Sequence, residues 1–168
     1  MNYLTKNLSV FVLSWALVSA NIFAGSEVLE KLQPEVRTEE FSLSKKGLAL
    51  DGYDPVAYFD AGPVKGSKSI SHTFKGVQYH FSSEGNRQKF IEDPHAYEPY
   101  YGGWCAWAMA DGGGRTKANP ESFKIIDGKL YVFYDGIWGD TLKLWNDVGD
   151  DQKLIDAADG HWVKQVSK

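Results

Sequence analysis

One cysteine in 168 residues leaves Cys105 without an internal disulfide partner. Its use must therefore be packing, metal ligation, redox chemistry or pairing with another chain. Other absences narrow the field further. No basic cluster appears and the formal net charge is -4, which excludes the electrostatic footprint of a nucleic-acid binder. No Ser-His-Asp order, phosphate loop or His-Glu-x-x-His pattern is present, so nothing points to a hydrolase or a nucleotide enzyme. After the first two dozen residues there is no second long apolar run, so no stable membrane anchor is expected.

Those first residues have the order of an export signal. Lys6 supplies the positive charge, Leu8 to Val18 is apolar apart from Ser9 and Ser14, and Ser19, Ala20 and Ala24 are small. The apolar stretch is about 11 residues, against the ~20 that cross a bilayer, so cleavage is expected, after Ala24 first and Ala20 second. Residues 1–24 are thus read as a signal peptide, 25–46 as an arm carrying a short amphipathic helix, and 47–168 as the domain, in the periplasm or secreted. An exported domain without disulfides must be held by its core, and 14% aromatic residues point to a core of large rings.

Within the domain, Asp51-Gly52 and Asp54-Pro55 are turn signals, and the apolar run Val56 to Phe59 reads as a short buried strand. Ile70 to Phe74 and Val77 to Phe81 form a hairpin around Lys75-Gly76, with Val77, Tyr79 and Phe81 on one face and Gln78 and His80 on the other. Ser82 or Ser83 caps the helix that follows, and Asp93-Pro94 ends it and starts another turn of helix. Asp127-Gly128 is the strongest hairpin signal, and the strand after it is apolar on both faces, hence central. The tail is helical, with Asp150 as a cap. The sum is an α+β domain of small antiparallel hairpins packed against several helices.

The segment Tyr100-Tyr101-Gly102-Gly103-Trp104-Cys105-Ala106-Trp107-Ala108-Met109 concentrates the chemistry. A helix starting near Trp104 would place the Met109 sulfur on the face of the Cys105 thiol, and Gly102-Gly103 would let helix amides face that thiol and lower its pKa. The soft donors Cys105 and Met109, joined by His80, form a candidate metal set that favours Cu(I) over zinc. A second use of Cys105 is as a redox nucleophile, completed by an external thiol because no resolving cysteine exists. A third is a binding module in which Tyr53, Tyr58, Tyr79, Tyr101, Trp104 and Trp107 line a pocket for a small molecule or peptide. Each residue also has a plain use: cysteine as a buried small hydrophobe, methionine as core filler, the rings as core, and Asp51, Asp54 and Asp111 as caps of turn amides.

Asp54-Pro55-Val56, Gly76-Val77-Gln78-Tyr79-His80-Phe81-Ser82, Phe90, and Asp93-Pro94 with Tyr97 resemble the YHS domain, a small module linked to metal handling. Pro99, Tyr101 to Ala106, Asp127 to Tyr131, Trp145, Ala158-Asp159 and Trp162 resemble its exported branch, the YHS domain-containing (seleno)proteins. The resemblance spans about Gly47 to Val163. It implies cysteines after Asp-Pro-Val and around the strand-to-helix turn, where this chain has Ala57, Ser82 and Asn86. It also implies that Cys105 stands where some relatives carry selenocysteine, which favours chemistry there. The expectation is a non-catalytic domain binding copper or another soft metal ion through Cys105, with a metal ion or small ligand as its partner and any protein partner left open.

Overall fold

The computed structural model describes Lys31 and residues 34–166. The proposed signal and the apolar positions Val28, Leu29 and Leu32 of the arm lie outside the described residues. Within them the architecture is α+β, with six helices and three two-stranded antiparallel sheets. Pro34–Glu40 (α1) leads into the domain, and Ser67–Phe74 (β1) pairs with Val77–Phe81 (β2). Glu84–Glu92 (α2), Pro94–Tyr97 (α3) and Ala106–Ala110 (α4) follow. Asn119–Ile126 (β3) pairs with Lys129–Phe133 (β4), and Asp135–Gly136 (β5) pairs with Gly139–Asp140 (β6). Thr141–Val148 (α5) and Asp151–Val166 (α6) close the chain.

The hairpins form where the turn chemistry places them. Lys75-Gly76 and Asp127-Gly128 both take positive φ at each residue, the geometry whose twist matches antiparallel strands. In β2 the residues Val77, Tyr79 and Phe81 are fully buried while Gln78 and His80 are half-buried, so the alternation reads out directly. β4 is central: β3 flanks one edge, and single bridges from Pro99 to Leu130 and from Cys105 to Val132 occupy the other. Ser83 caps α2 by accepting from Asn86 N–H, Asp93 caps α3, and Asp150 accepts from Lys153 N–H at the start of α6.

The arm belongs to the packed unit. Arg37 on α1 is fully buried, and its guanidinium donates two short bonds to Glu98 and one to the Phe74 carbonyl. Tyr79 donates its hydroxyl to the same carboxylate at 2.5 Å. Phe90 of α2 sits on the β2 rings, with centroids 4.6 Å from Tyr79 and 5.3 Å from Phe81. This cluster continues through Tyr101, Tyr131, Trp145 and Trp162. A second one gathers Leu50, Tyr58, Cys105, Ala118, Leu130 and Val132.

One expected strand is absent. Val56 to Phe59 is a turn of 3-10 helix at Ala57–Phe59, because the Asp54 carboxylate accepts from Val56 N–H and Ala57 N–H and bends the chain before it can extend.

Candidate functional site

Cys105 precedes α4 as its cap residue, in an extended conformation (φ -59, ψ 118). Its side chain therefore does not follow the helix face that carries Met109, and no α4 amide bonds the thiol. The sulfur is fully buried instead. It accepts from Tyr134 N–H at 3.2 Å and lies 3.4 Å from Thr141 Oγ1, which itself donates to the Tyr134 carbonyl at 2.7 Å. The thiol thus ties β4 to the start of α5, at the neck of the β5–β6 hairpin. The thiol is shielded from solvent by these partners, and a redox step on it would require this neck to open.

Gly102-Gly103 serves packing as well. Tyr101, Gly102 and Gly103 all have positive φ, and a side chain on Gly102 would come within 2.9 Å of the Glu40 carbonyl. Close passage of the arm is what these glycines allow.

The three soft-metal candidates occupy different surroundings. Met109 is buried in the larger cluster, its Sδ accepting from Gln165 Nε2 at 3.4 Å. Cys105 belongs to the smaller cluster. His80 lies on the outer face of β2 among Lys46, Lys68 and Gln78, where burial and then the Lys68 charge lower its pKa. Among the described residues, no group of three His, Cys, Asp or Glu side chains could hold a metal ion.

The six aromatic candidates each have partners of their own among the described residues. Tyr58 donates to the Pro120 carbonyl at 2.8 Å and meets Phe123 edge-on, and Tyr53 donates to Glu121. Tyr79 serves Glu98, Tyr101 donates to Asp159 at 3.0 Å, and Trp104 Nε1 donates to the Glu40 carbonyl. Trp107 packs against both clusters. Burial pushes the phenols of Tyr58, Tyr79 and Tyr101 well above the usual tyrosine range, so they act as neutral donors at any physiological pH.

Two larger recesses lie elsewhere among the described residues. A cavity of about 260 Å3 opens between the Ala57–Phe59 turn, the β2–α2 junction and α3. Ala57, Ser82 and Asn86 all line it, and Val56, Phe59, Val64 and Tyr97 supply apolar wall. Asp60 and Lys89 complete its charged lining.

The polar floor of this cavity is organised by Asp54, which is fully buried. Its Oδ1 accepts from the Val56 and Ala57 amides at 2.9 and 3.3 Å. Its Oδ2 accepts from Ser82 N–H, Ser82 Oγ and Asn86 Nδ2 at 2.6 to 2.7 Å. Those five donors occupy both carboxylate oxygens, so Asp54 serves to position its neighbours. Ser82 is thereby withdrawn from helix capping, which Ser83 performs.

Phe59, Val64 and Tyr97 gave no functional signal in sequence, since none carries reactive chemistry. Asp54 did stand out, but only as a turn residue. No protein-family model, curated protein or solved structure matches the chain.

Proposed function

We propose that this chain is an exported, YHS-like, non-catalytic binding domain that takes a small, partly apolar organic molecule in the cavity beside Asp54. The observation that carries this reading is a convergence. Ala57, Ser82 and Asn86 are the positions where the resemblance implies cysteine ligands, they are spread over 30 residues of sequence, and they line one cavity. In this chain the thiolates are replaced by a methyl, a hydroxyl and an amide, and the last two donate to a saturated carboxylate. That change removes soft-metal chemistry and leaves an apolar wall over a fixed polar floor, the usual composition of a small-molecule site.

The volume sets the size class. About 260 Å3 lies just below the ~300–1,000 Å3 typical of ligand pockets, which fits a fragment-sized molecule. Phe59 and Tyr97, whose rings meet edge-on at 5.4 Å, offer it an aromatic face, and Lys89 offers a charge.

Protein-observed NMR with a library of small aromatic and amphipathic fragments tests the proposal. Binding fragments should shift the Ser82, Asn86 and Lys89 amides. Those shifts should vanish in Ala61→Trp, which places an indole at an exposed position of the cavity lining. Shifts that persist in that variant, or no fragment acting on these amides, would reject the cavity as the site.

A further inference from the structure

A second recess lies on the outer face of the β1–β2 hairpin, and its chemistry is opposite to that of a metal site. It has a volume of about 430 Å3 and is lined by Lys46, Leu48, Lys68, Gln78 and His80. The fold assembles these residues from three segments. Gln78 and His80 stand two residues apart on one face of β2. Leu48 bridges to Gln78 in parallel fashion, which brings the Ser44–Leu48 turn alongside the strand. Ser44 Oγ accepts from the Lys46 and Leu48 amides, holding Lys46 at the tip of that turn.

Lys68 arrives through an irregularity in β1. Ser67 pairs with Phe81 and Ser71 with His80, so Lys68, Ser69 and Ile70 bulge out opposite a single step of β2. Bulges of this kind re-aim side chains. Gly66 fixes the start of the bulge: a Cβ there would lie 2.4 Å from the His80 carbonyl carbon, so only glycine lets the two backbones approach. Lys68 comes close enough for its charge to act on the His80 imidazole. Among the described residues no carboxylate pairs with the Lys46 or Lys68 ammonium, although the protein is acidic overall.

We infer that this recess binds a small dianionic oxyanion, a phosphate monoester or a dicarboxylate, between the Lys46 and Lys68 ammonium groups, with Gln78 and His80 as hydrogen-bond partners. Two lysines lining a recess beside an imidazole disfavour a metal ion there and attract an anion. The Gln78 amide adds direction to that attraction, and His80 can donate from either ring nitrogen according to its tautomer. A bound dianion would stabilise imidazolium and raise the His80 pKa against the opposing pull of burial and Lys68. This site is separate from the cavity beside Asp54, so either reading can fail without the other.

The experiment is an NMR titration of the full chain with inorganic phosphate and, in parallel, with succinate at low ionic strength. The His80 imidazole and the Gln78 side-chain amide should shift saturably with a Kd of about 1 mM, and the His80 pKa should rise. His72, on β1 opposite Tyr79 and against Phe90, is the internal control and should not move. The double variant Lys46→Gln/Lys68→Gln, at two exposed positions, should weaken binding by about tenfold or more. The tighter of the two anions identifies the ligand class. No saturable shift, equal affinity in the double variant, or an equal response of His72 would overturn the inference.

Discussion

The hairpin half of the molecule and the thiol half are held together by different means. Around β1, β2 and α2, two buried carboxylates do the joining: Asp54 gathers five donors and Glu98 gathers Arg37 and Tyr79. Around β4, α4 and α6, rings and the Cys105 sulfur fill the interior, and a gap beside Ala118 and Val132 amounts to only about 10 Å3. A gap of that size is at the threshold for a single water. Carboxylates that collect donors from separate segments hold loops at fixed separations, and two recesses of about 260 and 430 Å3 border that half. Close-packed rings leave no such room. The most conspicuous residue in the sequence, Cys105, therefore lies apart from both of these recesses among the described residues.

The largest way to break this contrast is to remove a carboxylate. Asp54→Ala leaves the Val56, Ala57 and Ser82 amides without their acceptor, and Glu98→Ala leaves the buried Arg37 charge unpaired. Each should cost about 3–5 kcal/mol of unfolding free energy in urea. A loss below about 1 kcal/mol would show that these hubs do not organise the hairpin half.

The Glu98 pair also predicts a pH dependence. Burial alone would raise the Glu98 pKa, but hydrogen bonds from His95, Arg37 and Tyr79 and the Arg37 charge hold it below the ordinary value of 4.5. A depressed folded-state pKa gives stability that is complete above the unfolded value and is lost as pH falls through the folded one. Stability measured from pH 6 down to about pH 2 should therefore fall below pH 4.5, and the Glu98→Gln variant should show a shallower fall.

The thiol half makes the smaller predictions. Cys105 should react with an aromatic disulfide reagent about a thousandfold more slowly in the native protein than in denaturant, because the neck formed by Tyr134 and Thr141 must open first. Cys105→Ala should cost only about 1–2 kcal/mol, and Cu(I) affinity against a competing chelator should be the same with and without the thiol. Trp138, 86% exposed at the tip of the β5–β6 hairpin, should change stability by less than about 0.5 kcal/mol when replaced by alanine.

Much of the fold was legible in the sequence because local chemistry decides it. Lys75-Gly76 and Asp127-Gly128 set both main hairpins, alternation in Val77 to Phe81 set the buried face, and Ser83, Asp93 and Asp150 cap helices as their types dictate. The rest turns on backbone geometry that residue type alone does not set. Val56 to Phe59 looks like a strand until Asp54, itself tied to Ser82 and Asn86, takes two of its neighbouring amides. The four-residue spacing of Cys105 and Met109 holds only if both are helical, and α4 begins one residue too late. Phe59 and Tyr97 line the cavity because of where the Ala57–Phe59 turn and α3 fall, which ring type alone does not reveal.

The central claim is that ligand binding belongs to the cavity beside Asp54 and that the thiol plays no part in it. The most direct test compares three proteins, wild type, Ala61→Trp and Cys105→Ala, in the same NMR titration with the tightest fragment found. The account predicts saturable shifts of the Ser82 and Asn86 amides in wild type and Cys105→Ala with equal Kd, and none in Ala61→Trp. Binding that survives Ala61→Trp and disappears in a folded Cys105→Ala protein would contradict it.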